Sequence, residues 1–252
     1  MAEGPGAVSV EVTAVGPHAP VADVETLREE LLFSAVRGTE GGSSLAFAVF
    51  RELAVAILEG RLAPGDEVNS ADLARRFNTS RTPIREALLL LEREQLVDVP
   101  PRRRPYVSHV ALGQVREIYE IRASLYGLVS ELLVARASDT EIEVLNRWQA
   151  LLDKDARAGD VDGYFWHNVG FRQAEAALSK NGELQRRLGS LGLQMHRFRH
   201  LSLSLPGRLL SSVADHERLV RAYADRDAPL AAAVSRSLVM RGYRAIERSG
   251  RF

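Results

Sequence analysis

A short stretch at residues 80–88 combines arginines and hydroxyl side chains at the predicted start of a helix. Arg81 and Arg85 are four residues apart, so both project from one face of that helix. A guanidinium can donate two hydrogen bonds to the major-groove edge of guanine. The hydroxyls of Ser80 and Thr82 can cap the first amides, or those amides can bind a phosphate. The spacing therefore predicts a helix that docks end-on into the major groove of DNA.

A second basic segment follows in the tripeptide Arg102, Arg103 and Arg104. Residues 70–110 contain eight arginines and five acidic residues, whereas the whole chain has 33 basic and 33 acidic residues. The positive excess is local, and phosphate binding favours this arrangement. A solvated basic surface on a small helical domain is the alternative interpretation of the tripeptide alone. The helix start and the tripeptide together favour DNA binding.

Three helices and two extended segments are expected to position these arginines. Apolar residues recur at helical spacing over residues 47–58, and Ser70 is placed to cap a second helix. The motif described above opens a third helix. Short extended pieces at 97–99 and 105–109 flank the arginine tripeptide and predict a two-stranded wing. We therefore predict a winged helix-turn-helix domain over residues 44–110.

The fold class is predicted to be mostly α, because the rest of the chain is helical in pattern. Residues 111–252 show helical periodicity without strand alternation and form a second, all-helical domain. The expected helices span 113–136, 139–157, 160–179, 182–203, 209–225 and 227–247. Residues 1–43 are an N-terminal extension that we expect to be largely disordered, with helical spacing only over 22–36.

Composition and motif content exclude several classes of protein. The chain lacks cysteine, which excludes disulfides and cysteine–zinc sites and fits a reducing, cytoplasmic location. No apolar run reaches the roughly 18 residues of a membrane span, and no signal-peptide pattern opens the chain. The sequence offers no paired carboxylates in a plausible cleft, no phosphate-binding glycine loop and no serine–histidine–aspartate set. An enzyme is therefore not expected.

Several of these segments together resemble the GntR family of bacterial transcription regulators. The matching segments are residues 56–66 (AILEGRLAPGD), 72–74 (DLA) and 80–88 (SRTPIREAL). The helical part is similar to the FCD branch of that family. This similarity rests on Arg122 in residues 119–122 (YEIR) and on His216 in residues 215–220 (DHERLV). The resemblance covers roughly residues 45–248 and leaves the N-terminal extension outside.

The resemblance implies a homodimer that binds a short inverted repeat in double-stranded DNA. It also implies an organic acid or acyl compound as effector in the helical domain, which loosens or retunes DNA contact as in a repressor. Arg81, Thr82 and Arg85 match the family's base- and phosphate-contacting positions. At the wing, the family usually has a glycine where Arg104 stands, so we expect the wing to contact DNA differently.

Many FCD domains hold a divalent metal with one aspartate and three histidines, and this pattern is mostly missing. Asn168, Arg172 and Leu238 stand at three of the four ligand positions, and His216 stands at the fourth. A guanidinium keeps its proton and repels a cation. We therefore expect no metal cofactor. Instead, Arg172 and Arg122 are expected to clamp a small anionic metabolite, with hydrogen bonds from Asn168 and His216.

Two other interpretations of this pocket stay open. Arg172 could pair with an internal acid, which would leave a vestigial pocket and an effector-blind DNA-binding repressor. Alternatively, His196, His200 and His216 could form a displaced metal site. Tyr126 stands where FCD chains commonly have glutamate and is included among the expected effector-binding residues. The polarity of the pocket therefore departs from that of the family.

Overall fold

The computed structural model describes residues 21–36 and 44–250, and the chain is mostly helical in these residues. Eleven helices and one two-stranded antiparallel sheet form within this described part. None of the helices found there is both long and apolar enough to cross a membrane. The mostly α fold class is confirmed.

The first helix, α1 (Val24–Ala35), lies in the N-terminal extension. The side chain of Asp23 caps its first turn with a hydrogen bond of 2.8 Å. Three leucines at helical spacing are buried, namely Leu27, Leu31 and Leu32. The helix predicted over residues 22–36 is confirmed. The other parts of the extension, residues 1–20 and 37–43, lie outside the described residues.

The winged helix-turn-helix unit follows α1 and has the predicted composition of three helices and a wing. Its elements are α2 (Ser44–Leu58), α3 (Ser70–Arg76), α4 (Arg81–Arg93), β1 (Val97–Asp98) and β2 (Tyr106–Val107). Fully buried side chains from α2 and α4, among them Phe50, Ile57, Ile84 and Leu91, form its core.

The cap of α3 differs from the prediction by one residue. Asn69 is the N-cap, because its carboxamide oxygen accepts a hydrogen bond from the amide of Ala71 at 3.0 Å. Ser70, which was expected to cap, is the first residue of the helix instead. Both residue types favour the N-cap, so the sequence alone leaves the choice between them open.

The wing is a short antiparallel hairpin, and a third backbone segment bridges to one side of it. Val97 pairs with Val107, and the strands are shorter than the predicted pieces 97–99 and 105–109. The segment before α3 adds to the outer side of β2, where Glu67 bridges to Tyr106. The wing loop is therefore held at its base by two neighbouring backbone segments.

The remaining helices build the all-helical domain. They are α5 (Leu112–Arg136), α6 (Asp139–Ala158), α7 (Val161–Leu178), α8 (Gly182–Gly189), α9 (Gly192–Leu203), α10 (Arg208–Ala224) and α11 (Ala228–Arg248). Helix α5 packs along α11, and α6 packs against α7 and α10. Helix α9 contacts α11 and α7 as well as α2 of the winged helix, so it lies between the two domains.

The single helix predicted over 182–203 is wrong, because two helices occupy this range. Helix α8 ends at Gly189, and α9 begins at Gly192, whose φ of 73° is left-handed. An α-helix does not continue through a left-handed residue. The break lets α8 bury Leu184 and Leu188 near α5, while α9 turns into the centre of the molecule.

Candidate functional site

The start of α4 presents the residues that were expected to contact DNA. Arg81, Thr82 and Arg85 are all exposed there. Ser80 is the N-cap residue, but its side chain makes no capping hydrogen bond. The first amides of α4 therefore lack a capping side chain and can bind a phosphate. The opposite face of the helix is buried through Ile84, Ala87, Leu88 and Leu91, which fixes α4 on the core.

The arginines of this domain divide into a paired and an unpaired set. Six have acidic partners, in the pairs Arg51–Glu25, Arg61–Glu59, Arg75–Asp72, Arg76–Glu52, Arg93–Glu94 and Arg104–Glu67. In residues 21–36 and 44–250, no carboxylate forms an ion pair with Arg81, Arg85, Arg102 or Arg103. The positive charge that remains unneutralised is therefore on the helix start and the wing loop, where phosphates would be bound.

The wing loop exposes all three arginines of the tripeptide. Arg102 has a left-handed φ of 60°, so the position that suits a glycine is Arg102 rather than Arg104. Arg104 donates a hydrogen bond to the carboxylate of Glu67 at 2.7 Å, and both side chains are exposed. An exposed ion pair contributes only about 0–1 kcal/mol, so a DNA phosphate can replace Glu67.

We expect the Arg81→Ala variant to lose about 1–3 kcal/mol of specific DNA-binding free energy and to relax base choice at one position. A bidentate guanidinium–guanine contact accounts for a loss of this size. Fluorescence anisotropy on a duplex selected by the wild type measures the change. Arg75→Ala is the matched control, since Arg75 is exposed and paired with Asp72. Unchanged affinity in Arg81→Ala would mean that the start of α4 does not read DNA.

A small cavity of about 30 Å³ lies within the helical domain. Its polar lining comes from four helices and includes Tyr119, Arg122, Asn168, Arg199, Arg208 and Ser212. The five predicted effector-binding residues converge at or next to it. Arg122 and Asn168 line the cavity, while the ring of Tyr126 lies 4.7 Å from the guanidinium carbon of Arg172. His216 contacts Asn168 at 3.0 Å.

Arg172 has an internal acidic partner, as one of the alternative interpretations expected. Its Nη1 donates to the carboxylate of Glu175 at 2.8 Å, and both side chains are buried. Tyr223 donates to the other oxygen of Glu175 at 2.6 Å. Burial lowers the pKa of Arg172, but the charge and hydrogen bond of Glu175, acting together with Tyr126 and Tyr223, raise it overall. Arg172 therefore stays charged, with its Nε and Nη2 groups unused.

His216 is held as a neutral imidazole. Its Nδ1 lies 2.8 Å from the carbonyl oxygen of Ser212, which can only accept, so Nδ1 carries the proton. Its Nε2 then accepts a hydrogen bond from the side-chain amide of Asn168. Burial and the charge of Arg172 lower the pKa of His216 well below its usual value. The lone pair that a metal would need is therefore already occupied.

His196 and His200 do not form a displaced metal site with His216 in the part of the chain that the structure describes. His200 contacts the carboxylate of Asp162 at 2.7 Å, and His196 packs edge-on against Phe165. In the described part of the chain, no three histidine, cysteine or acidic side chains converge as metal ligands do. Guanidiniums beside His216 would repel a divalent cation. The residues present therefore do not fit the divalent metal of the family.

The buried guanidiniums at and beside the cavity outnumber the carboxylates that pair with them. Arg122, Arg172 and Arg199 are all buried, and Glu175 is the carboxylate that pairs with one of them. Burial, together with the charge of Arg122, lowers the pKa of Arg199 to about 9. In the residues that the structure describes, several buried donors lack an acceptor, namely Arg122 Nε, Arg172 Nε and Nη2, Arg199 Nε and Nη1, and Arg208 Nε. Each such donor costs about 1–3 kcal/mol unless a partner is supplied.

Sequence reasoning missed Arg199, Arg208 and Glu175 as members of this site. The signal for Glu175 was available, because it lies three residues after Arg172 on the same helix. Arg199 lies directly beside His200 in the sequence, and its spacing gives no signal of a cavity residue. Its place in the cavity depends on the direction that α9 takes after Gly192, which the sequence pattern did not reveal.

Helix α9 also connects the cavity to the winged helix. It carries Arg199 in the cavity, and Arg197 on the same helix donates to the carbonyl oxygen of Ser108 at 2.8 Å. Ser108 directly follows strand β2 of the wing. Gln194 donates to the carbonyl oxygen of Gln95, just after α4, at 3.0 Å. A shift of α9 would therefore move its hydrogen-bond partners beside the wing and at the end of α4.

Comparison with known proteins agrees with both halves of this architecture. Residues 45–107 match the family described as "Bacterial regulatory proteins, gntR family", and residues 117–241 match the FCD domain. The chain belongs to the GntR family. The members to which this GntR chain is similar are HTH-type transcriptional regulators. The segment around α1 lies outside both matched regions.

Two curated relatives illustrate the similarity of this GntR regulator. The chain is 29% identical over 171 residues to the HTH-type transcriptional regulator YdhC of Bacillus subtilis, which covers 68% of this chain and 76% of the relative. It is 25% identical over 178 residues to the gluconate operon transcriptional repressor of Bacillus licheniformis, covering 71% and 72%. The solved structure titled E. coli McbR/YncC has the same fold, with a TM-score of 0.69 and 23% identity over 82% of this chain and 99% of that one.

Proposed function

We propose that this GntR-family protein is a cytoplasmic, ligand-responsive repressor that binds a short inverted repeat as a homodimer. Its effector is a small anion held in the arginine-lined cavity of the helical domain, and no metal takes part. The exposed and unpaired arginines of α4 and the wing support DNA binding. The name of the Bacillus licheniformis relative supports a repressor rather than an activator.

The observation that carries the effector proposal is the unmatched buried charge. Arg122 and Arg199 have no carboxylate partner in the described residues, and Arg172 keeps two unused donor groups after pairing with Glu175. Burying charge without a partner is costly unless something else supplies the partner. A bound carboxylate or phosphate would accept hydrogen bonds from several of these guanidiniums and neutralise part of their charge.

The lining of the cavity favours a compact anion over an acyl chain. Side chains that can donate hydrogen bonds, among them Arg122, Arg199 and Asn168, form much of its wall. A small organic acid or phosphate can accept hydrogen bonds from these groups, whereas a long acyl chain would need an apolar channel. We therefore prefer the organic-acid class to the acyl class.

An exposed apolar seam on α5 supports a homodimer. Apolar residues recur every three or four positions along one side of the helix, at Ile118, Ile121, Leu125, Leu128 and Leu132. Ile121 is 54% and Leu128 is 40% exposed in the single chain. This spacing is typical of a helix that packs along a partner helix. A second copy of the chain would bury the seam.

We expect Leu128→Glu to weaken dimerisation roughly 100-fold, because an unpaired charge buried in an apolar interface costs about 3 kcal/mol. Sedimentation equilibrium measures the dissociation constant. Leu210→Glu is the control, since Leu210 is 63% exposed and lies on α10, away from the seam. If Leu128→Glu dimerises as tightly as the control, α5 is not the dimer interface.

A second function is favoured by one specific contact. The buried ion pair between Arg172 and Glu175 satisfies part of the cavity without any ligand. This contact supports an effector-blind DNA-binding repressor whose pocket is vestigial. The two proposals differ in what they predict for Arg199, which has no such internal partner.

A thermal-unfolding screen of the purified full chain without DNA tests the effector proposal. The probes are inorganic phosphate, a series of dicarboxylates from oxalate to adipate, octanoate, and the chlorides of zinc and nickel. A ligand present at 100 times its dissociation constant stabilises by about 2.7 kcal/mol, which raises the melting temperature by several degrees. Arg199→Met and the exposed control Arg157→Met are screened in parallel.

We expect a small anion to stabilise the wild type and Arg157→Met but not Arg199→Met. Stabilisation by octanoate alone would contradict the compact effector. Stabilisation by zinc or nickel alone would contradict the absence of a metal and make His196, His200 and His216 the residues to mutate. If none of the probes stabilises the protein, the effector-blind repressor is favoured.

A further inference from the structure

The carboxylate of Glu59 lies at a buried junction between three parts of the chain. Glu59 directly follows α2 of the winged helix, and its side chain is only 4% exposed. The indole of Trp166, on α7 of the helical domain, donates to Oε1 at 2.9 Å. Arg28, on α1, donates to the same oxygen at 2.5 Å. The three contributions come from the two domains and the N-terminal extension.

Both carboxylate oxygens of Glu59 are satisfied at this junction, whereas Nε of Arg28 has no acceptor among the described residues. Arg61 donates to Oε2 of Glu59 at 2.8 and 3.2 Å, so both carboxylate oxygens accept hydrogen bonds. The guanidinium of Arg28 also lies 5.4 Å from the centre of the Trp166 ring. Burial would raise the pKa of Glu59, but the hydrogen bonds from Trp166 and Arg61 and the charge of Arg28 lower it. Glu59 therefore remains ionised at neutral pH and keeps its partners.

The other end of α1 contacts the helix that is expected to read DNA. Arg93, the last residue of α4, donates to the carbonyl oxygen of Ala35 at 2.9 Å. A cation at the C-terminus of a helix satisfies an open carbonyl and interacts favourably with the helix dipole. Helix α1 therefore contacts two distant elements. Arg28 is linked to Trp166 of α7 through Glu59, and the carbonyl of Ala35 bonds to Arg93 at the end of α4.

The same α7 carries cavity residues. Trp166 lies two residues before Asn168, and Arg172 follows within the continuous helix Val161–Leu178. Buried leucines of α1 pack against α7 along this stretch. The position of α7 is thereby linked to the position of the winged helix through α1 as well as through α9. Helix α1 lies outside both of the matched family regions.

We propose that α1 is a strap that fixes the winged helix against α7, with Arg28 and Trp166 as positioning residues acting through Glu59. The proposal rests on the proposed function as a dimer on an inverted repeat. In such a dimer, the placement of each winged helix sets the spacing of the two DNA half-sites. Loosening the strap should therefore allow tight binding to duplexes with a wider range of half-site spacings. The base preference within each half-site should stay the same.

Binding to duplexes with altered half-site spacing tests the strap. The full-length wild type, Arg28→Met and Trp166→Phe are titrated on the selected duplex and on duplexes with one base pair inserted or deleted at the centre. Trp166→Phe keeps an aromatic ring and removes the N–H donor, together with part of the buried indole volume. Arg51→Met is the matched control, because Arg51 joins α2 to Glu25 of α1 through an exposed ion pair, which contributes little to stability, and does not contact Glu59. Hydrogen exchange of the α1 and α2 amides is measured on the same four proteins.

We expect discrimination against altered spacing to fall several-fold in Arg28→Met and Trp166→Phe but not in Arg51→Met. Exchange in α1 and at the end of α2 should be faster in the same two variants. Spacing discrimination and exchange equal to the wild type in both variants would overturn the strap. If the wild type binds no duplex in a spacing-dependent manner, the proposed dimeric function fails. In that case, exchange alone decides whether α1 is held by the junction.

Discussion

Arg199→Met should unfold at a higher temperature than the wild type in anion-free buffer. In the wild type, Arg199 is buried, and two of its three guanidinium nitrogens have no partner in the described residues. The third approaches the sulfur of Met195 at 3.7 Å, and a thioether is a weak acceptor. Removing the unsatisfied donors should contribute about 1–3 kcal/mol to the free energy of unfolding. The unbranched methionine side chain can fill most of the space.

Thermal and chemical unfolding of the wild type, Arg199→Met and Arg157→Met measure this effect. Arg157 belongs to an exposed ion pair on α6, so its replacement should change stability by less than about 1 kcal/mol. A protein that keeps a destabilising charge in its core is expected to gain function from it. A clear loss of stability in Arg199→Met would mean that Arg199 has a structural role and is not kept for a ligand.

Arg172→Met should have the opposite effect and lose about 3–5 kcal/mol of unfolding free energy. The substitution leaves Glu175 as a buried carboxylate without its cation, and Tyr223 then remains as its hydrogen-bond donor. Denaturant unfolding measures the change. The double variant Arg172→Met, Glu175→Gln should recover a large part of the loss, because no unpaired acid stays buried. Equal losses in the single and double variants would show that packing, and not charge, explains the effect.

Arg199→Met and Arg172→Met are expected to change the free energy of unfolding in opposite directions for one physical reason. The fold itself supplies an acceptor to one arginine and not to the other. Arg172 has one on its own helix, and Arg199 has none among the described residues. The pair of variants thus separates the structural charge of the cavity from the charge that is available to an effector.

Periodicity predicted most of the fold because it reflects local physics. The ends of most helices were predicted to within a few residues. The signals were apolar residues at helical spacing, glycines such as Gly159 and capping residues such as Asp227. The break before α9 was missed, since helical spacing continues on both sides of Gly192 and only its left-handed backbone ends the helix. The packing of α1 could not be predicted from the sequence either. Its apolar residues indicate that one face is buried, but not which helices cover that face.

The two candidate sites were predictable to different degrees. The DNA-contacting arginines lie in one short motif, so their spacing alone indicated a common face. The cavity draws residues from several helices, and its charge balance depends on which arginine meets which acid. Arg122 and Asn168 were found through the family resemblance, whereas Arg199 needed the path of α9.

The most direct test of the account is the affinity of the wild-type protein for its selected duplex, measured with and without the anion that stabilises it best. Fluorescence anisotropy at fixed ionic strength separates the specific effect from salt screening. The account predicts that the anion changes the dissociation constant about 5- to 150-fold, the usual range of coupling between two sites, and that Arg199→Met shows no change. Equal affinity of the wild type with and without the anion would contradict a ligand-responsive regulator.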